Sequence, residues 1–305
     1  MSLAPRPTAE RVWGTYLVCV VAIAWTTSGG GSPGHDPVLH TLVHGAVGLV
    51  VLLSAWIATR RAHAEARVLR AALAVVGLPV VFSAMCYLLP GVHPEPYEYL
   101  WLEVDRALFG DDIVRLVEHA LPPWFVELLQ LDYAAYYVLC IGSALLAGWG
   151  SGGAAFDRAV LALVVGFLAS YLGYLLVPTL APKVVLADAQ HVDGLWATPH
   201  VRRFIDEAEA NHWDCFPSGH TMLTIVALII TFRWHRRGFW WLLLPGVLLV
   251  SSTMLLRYHW SSDVIAGAVL AWPAVWLSDR LADRDGWPAA GPDTTRRRAV
   301  QASLK

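Results

Sequence analysis

The sequence predicts an all-α fold, a polytopic membrane helix bundle of about eight transmembrane helices, and three observations predict it. The chain of 305 residues is 56% hydrophobic and only 15% charged, against about 25% charged residues in a soluble domain. Eight apolar stretches come close to the roughly 20 residues that cross a bilayer as a helix. The basic residues alternate in density from one connecting segment to the next, as they do in chains that cross a membrane repeatedly.

The eight stretches lie near 13–28, 40–58, 68–89, 124–148, 159–178, 217–234, 239–256 and 260–278. The first follows Arg6 and Arg11 without a convincing small-x-small cleavage site, so it is expected to be a retained helix rather than a signal peptide. Residues 29–37 are rich in Gly, Ser and Pro and read as a plain loop; the triple glycine lacks the lysine of a phosphate loop. Segment 91–123 mixes Glu98, Glu103, Asp105, Asp111, Asp112 and Glu118 with Trp101, Leu108, Phe109, Ile113 and Val117, a composition suited to interfacial helices lying against headgroups. Segment 179–216 reads as a long polar loop carrying Arg202 and Arg203, and loops of that length are usually functional or disordered. Beyond about 281 the chain is rich in Pro, Gly and Arg and is expected to be a disordered tail.

With eight crossings and a cytoplasmic N-terminus, 16 of the 22 Lys and Arg residues fall on the inside. Arg106, Arg115, Lys183, Arg202, Arg203 and Arg257 stay outside. Cytoplasmic segments carry the basic excess, so both termini are expected inside. The net charge of −2 gives no sign of a nucleic-acid partner, and the four cysteines (Cys19, Cys86, Cys140 and Cys215) form no CxxC, so neither zinc nor redox chemistry is expected.

Three pieces of chain then converge on the outer face. The fifth stretch ends at Val177-Pro178, followed by Ala181-Pro182-Lys183. The sixth opens with Phe216-Pro217-Ser218-Gly219-His220. The seventh re-emerges at Arg257-Tyr258-His259. His220 and His259 are 39 positions apart, about what two crossings and a short turn consume, so both fall at one level on one side. Asp263 follows four residues after His259, on the same face of a helix. Ser218 and Gly219 place backbone N–H groups at a helix N-terminus, a ready anion site. Lys183 and Arg257 can neutralise phosphate oxygens as charge builds. One histidine can attack phosphorus while the other protonates the leaving oxygen, and Asp263 would orient the nucleophilic imidazole. No metal and no cofactor is required. Asp132, two turns into the fourth stretch, is a candidate headgroup contact or a partner for a nearby tyrosine, with Tyr133 and Tyr137 beside it. His212 and Asp214, just before the motif, read as loop decoration rather than catalytic groups, and His191 and His200 carry no pattern.

Pro217-Ser218-Gly219-His220, with His259 and Asp263 four residues on, resembles the type 2 phosphatidic acid phosphatase superfamily over roughly 160–280. The resemblance implies His259 as the nucleophile of a phosphohistidine, His220 as general acid and Asp263 as the orienter of His259. It also implies Lys183, Ser218, Gly219 and Arg257 around the phosphate. Where the commoner pattern has a Ser-Arg pair before the second histidine, this sequence has Ser252 and Thr253. Arg257 lies two before His259 instead, and Ala181-Pro182-Lys183 stands in for the Lys-x6-Arg-Pro element. Those features, with Val104-Asp105-Arg106-Ala107-Leu108-Phe109-Gly110 and Leu131-Asp132-Tyr133-Ala134-Ala135-Tyr136-Tyr137, look more like the branch that includes inositol phosphorylceramide synthases.

The expected organisation is therefore two additional N-terminal helices over 1–67, a six-helix core over 68–280 and a cytoplasmic tail over 281–305. The expected activity is phosphohydrolase or headgroup phosphotransferase on a phospholipid or isoprenoid phosphate in a bacterial cell membrane, with the site extracytoplasmic. The alternative is a non-catalytic lipid transporter or receptor on the same scaffold.

Overall fold

The computed structural model describes residues 8–27, 36–60, 64–93, 95–110, 120–186, 192–208 and 213–290. Among the described residues the elements are all helical: α1 (Thr8–Thr26), α2 (Pro37–Arg60), α3 (Ala64–Val92), α4 (Glu98–Phe109), α5 (Pro123–Ala134), α6 (Tyr136–Ser151), α7 (Gly153–Leu176), α8 (Pro182–Val185), α9 (Thr198–Ala208), α10 (Gly219–Trp234), α11 (Arg236–Leu255) and α12 (Ser261–Arg284). The only pairing of extended chain among them is a bridge between Thr179 and Asp214.

Each apolar stretch is helical. Helices α2, α3, α7, α11 and α12 are long and apolar enough to cross a membrane, and α5 and α6, bent by 56° at their junction, are so when taken together. Helix α10, of 16 residues, is apolar but shorter. The bend falls at Ala135, where neither Pro nor Gly marks it. Helix α7 is apolar on all sides and buried along most of its length, as befits the central staff of a bundle. It touches α1, α3, α6, α10 and α12.

The bundle has two chemically different ends. At one, the starts of α1, α3 and α7 meet the end of α12. There Arg70 pairs with Glu10, Arg67 with Asp157, Arg11 with Asp285, Arg158 with Asp283, and Arg233 with Asp279. The other end holds the starts of α5, α10 and α12 and the end of α11, and carries the two histidines.

Two expectations change in detail. The chain does not become irregular at 281. Helix α12 runs to Arg284, and Trp287 packs with Ala9, Leu161 and Ala282. Arg158 also donates to the carbonyls of Trp287 and Pro288, so the segment up to 290 is tied down by burial and hydrogen bonds; residues 291–305 lie outside the described residues. The polar segment 179–216 is partly helical, through α8 and α9. The expectations placed on 28–35, on 111–119 within the interfacial segment, and on His191 and His212 also lie outside the described residues. In α4, the acids Glu98 and Asp105 turn inward while Tyr99, Leu100 and Leu108 are exposed.

Candidate active site

Helix α10 starts at the end of a short turn through the cis Phe216–Pro217 peptide. Ser218 caps the helix, its Oγ accepting from the Thr221 N–H at 3.2 Å. The Ser218 N–H donates to the Asp263 carbonyl at 3.0 Å, which locks the starts of α10 and α12 together. Close approach is possible because position 267 is glycine: a Cβ there would collide with the Ser218 carbonyl. Both polar groups of Ser218 are thus committed locally, and its side chain is fully buried. Gly219 lies against Tyr174, whose hydroxyl would sit 2.6 Å from an added Cβ.

The second imidazole comes from the end of α11. Arg257 adopts φ +62°, the left-handed conformation that commonly closes a helix. The N–H groups of Tyr258 and His259 both donate to the Thr253 carbonyl, at 2.9 and 2.8 Å. This turn throws His259 back toward His220, with ring centroids 5.9 Å apart. The two imidazoles lie on the same end of the bundle.

The protonation of His259 follows from its contacts. Its Nδ1 lies 2.9 Å from the Cys215 carbonyl, so Nδ1 carries the hydrogen and Nε2 keeps its lone pair. Asp263 is fully buried one turn on, with Oδ2 at 3.6 Å from the same Nδ1. That Oδ2 accepts from the Trp260 N–H at 2.8 Å and from the Cys215 thiol at 2.9 Å. Burial and the adjacent Asp263 push the Cys215 thiol pKa well up, which keeps it protonated and a donor.

His220 is flanked by aromatic rings. Tyr133 stacks on it at 4.3 Å and on Tyr258 at 4.1 Å, and the Tyr133 hydroxyl lies 3.4 Å from His220 Nδ1. Lys183 closes the pile, its Nζ 4.7 Å from the Tyr258 ring centroid. Its N–H donates to the Arg257 carbonyl at 2.9 Å, which draws the two basic residues together, while Nζ is bonded to Asp206 of α9 at 2.7 Å. Helix α9 is anchored in turn by Glu127, whose carboxylate accepts from the N–H groups of Leu195, Ala197 and Thr198 at its start.

A cavity of about 50 Å³ opens beside both histidines, bordered by Lys183, Cys215 and Gly219 and by the hydroxyl-bearing Tyr133, Tyr136 and Tyr137. That is space for water rather than for a headgroup. The structure thus brings together His220, His259, Asp263, Lys183, Gly219, Tyr133 and Tyr137. Arg257 and Ser218 stand behind the cavity wall, and Asp132 is not among the residues that border it. The Asp132 Oδ2 is buried with no hydrogen-bond partner among the described residues. Cys215, Tyr136 and Tyr258 are functional neighbours that the sequence reading passed over. Tyr258 adjoins His259 and Tyr136 falls one turn from Tyr133, but nothing in the sequence marks Cys215. Its Sγ, with His259 Nδ1 and Asp263 Oδ2, forms a cluster able to hold a metal ion, although these atoms already bond one another.

The family model described as the PAP2 superfamily matches residues 100–277, more than half of the chain. The chain belongs to the PAP2 superfamily. Phosphatidylglycerophosphatase B of Escherichia coli K12, of Escherichia coli O157:H7 and of Shigella flexneri are each similar to it, at 31% identity over 104 residues. The match covers 30% of this chain and 40% of each relative, so the chain spans about two fifths of the length of the curated relatives it matches. No solved structure matches.

Proposed function

We propose that this protein is an integral-membrane lipid phosphatase that works through a phosphohistidine, with transfer to an alcohol as the finer possibility carried by its likeness to the inositol phosphorylceramide synthase branch. The reading rests on one observation above the others: two imidazoles 5.9 Å apart, with the Nδ1 of His259 bonded to a carbonyl and its Nε2 left nucleophilic.

In the proposed reaction, His259 Nε2 forms a bond to phosphorus as the bond from phosphorus to the lipid oxygen breaks. His220 gives its proton to that oxygen, and the dephosphorylated lipid departs. Water then attacks the phosphohistidine and returns a proton to His220, so inorganic phosphate leaves and both imidazoles are restored. Asp263, at 3.6 Å, stabilises the positive charge on His259. Lys183, Arg257 and the amide groups at the start of α10 take the phosphate charge. The arginine distribution supports a histidine end outside and both chain ends inside the cell. The core is assigned to residues 68–280, with α1 and α2 as an addition.

The test uses protein in nanodiscs with phosphatidylglycerophosphate and phosphatidic acid, read by phosphate release. We expect turnover that resists chelators and is blocked by vanadate, with His259→Ala inactive yet folded. Retained turnover in that variant sinks the nucleophile assignment, and loss of turnover on chelation points to a metal held by Cys215, His259 and Asp263. Binding of these lipids with no release of phosphate from the wild type favours a transporter or receptor. Adding glycerol or inositol separates the two chemistries, since a new phosphomonoester of the alcohol marks transfer.

A further inference from the structure

We infer that Cys215 is a positioning residue for His259, gripping the nucleophilic imidazole at two points through its carbonyl and its thiol. The inference rests on the phosphohistidine reading and goes beyond it, because the two histidines and Asp263 are there assigned without any part for a cysteine.

The argument starts from distances. A hydrogen bond between nitrogen and oxygen is usually 2.7–3.2 Å long. Asp263 Oδ2 lies 3.6 Å from His259 Nδ1, whereas the Cys215 carbonyl lies at 2.9 Å. The acceptor of the imidazole hydrogen is therefore Cys215, and the carboxylate acts on the ring through its charge. That charge is itself held in place by Cys215. The thiol donates to Asp263 Oδ2 at 2.9 Å and passes 3.4 Å from His259 Nδ1. One residue thus fixes the ring, through its backbone, and the carboxylate behind the ring, through its side chain.

Cys215 is well placed for this. Its N–H donates to the Thr179 carbonyl at 3.2 Å, and its side chain packs with Ala181 and Trp260, so two other chain segments hold it. It is 2% exposed, out of reach of solvent that would compete for the thiol hydrogen bond. Without that donor the carboxylate loses one of its two short bonds and is free to turn, and the imidazole no longer meets a fixed charge as it becomes positive.

The experiment compares Cys215→Ala, Cys215→Val and Cys215→Ser in the full-length protein in nanodiscs, with Cys140→Ala as the control for removing a buried thiol elsewhere. A hydrogen bond to a charged group contributes about 1.5–3 kcal/mol, so kcat should fall roughly 10- to 100-fold in the Ala and Val variants. KM should stay within about twofold, because the bonds lost act on the nucleophile and not on the lipid. Serine supplies a donor again, and its kcat should recover to within about threefold of wild type. Acid-quenched phosphoenzyme should form more slowly in Ala and Val than in Ser.

Val fills the thiol's volume without a donor, so the Ser and Val pair decides the matter even where Ala fails to fold. Wild-type kcat in Val or Ala overturns the inference, and so does a Ser variant as slow as Val. His259→Ala is run alongside. If it is dead while Cys215→Val is normal, only the role of Cys215 fails; if it turns over, the phosphohistidine reading itself fails.

Discussion

Arg257 holds a conformation that most side chains avoid. At φ +62° a residue with a Cβ gives up about 1–2 kcal/mol relative to its ordinary backbone state, and glycine gives up none. Strain at such positions tends to be retained where function demands the side chain. Arg257 lies two residues from His259 and shares a backbone hydrogen bond with Lys183. Arg257→Gly should therefore leave thermal stability equal to wild type or raised by about 1 kcal/mol, while kcat/KM on phosphate lipids falls tenfold or more. A thermal-shift series beside kinetics checks it. A variant that is both stabilised and fully active would show that the guanidinium takes no part in holding phosphate. The same turn explains why the two histidines were legible as a pair from their spacing, while their orientation was not. Spacing sets the level of a residue along the bundle, and the left-handed turn at Arg257 sets where His259 points.

Among the helices, α9 and the bent pair α5–α6 shape access to the histidines. The bend at Ala135 delivers Tyr133 and Tyr137 to the cavity, yet the run Asp132–Tyr137 contains no Pro or Gly to announce it. One continuous crossing was the natural reading, and the packing of Tyr133 between His220 and Tyr258 is what accompanies the break. Helix α9 rests on Glu127 and reaches Lys183 through Asp206. Asp206 therefore occupies the charge that a lipid phosphate would need. Asp206 is half exposed, and exposed pairs contribute at most about 1 kcal/mol. Asp206→Asn should lower KM by up to about fivefold with little change in kcat. A raised KM would mean that Asp206 positions Lys183 instead of competing for it. Helix α4 shows the opposite lesson about patterning. The mixed composition of its segment suits a helix lying against headgroups, but Asp105 turns inward and accepts from the N–H of Ser261 at 3.2 Å, capping the helix that carries Asp263.

Taken whole, the molecule separates its charges by end. The histidine end carries the cavity beside His220, His259 and Lys183, and the opposite end gathers arginines matched by acids. The buried pair of Glu10 and Arg70 joins α1 to α3 there. Removing one partner of a buried pair costs about 3–5 kcal/mol, because a charge is stranded, whereas removing both costs less. Glu10→Ala should thus destabilise the protein more than the double variant Glu10→Ala/Arg70→Ala, measured by thermal unfolding in detergent. Equal losses would show that the pair stabilises nothing beyond its packing. The arrangement ties the first helix to the rest, as do Thr8 and Arg11 through Asp285. The Pro- and Arg-rich composition after 281 concealed this anchoring, since Trp287 and Asp285 also find partners in helices far away in sequence.

The sequence by itself determined the class of fold, the number of apolar stretches and the pair of histidines at one level. Each of these follows from local regularities: an apolar run long enough for lipid, and helices whose rise per residue converts spacing into depth. The tertiary structure alone decided what surrounds the reacting atoms. Cys215 behind His259, Tyr133 between His220 and Tyr258, and Asp206 on Lys183 are contacts between segments 23 to 125 positions apart. Contacts of that kind leave no period in a single chain, because they are set by how helices pack and turns close.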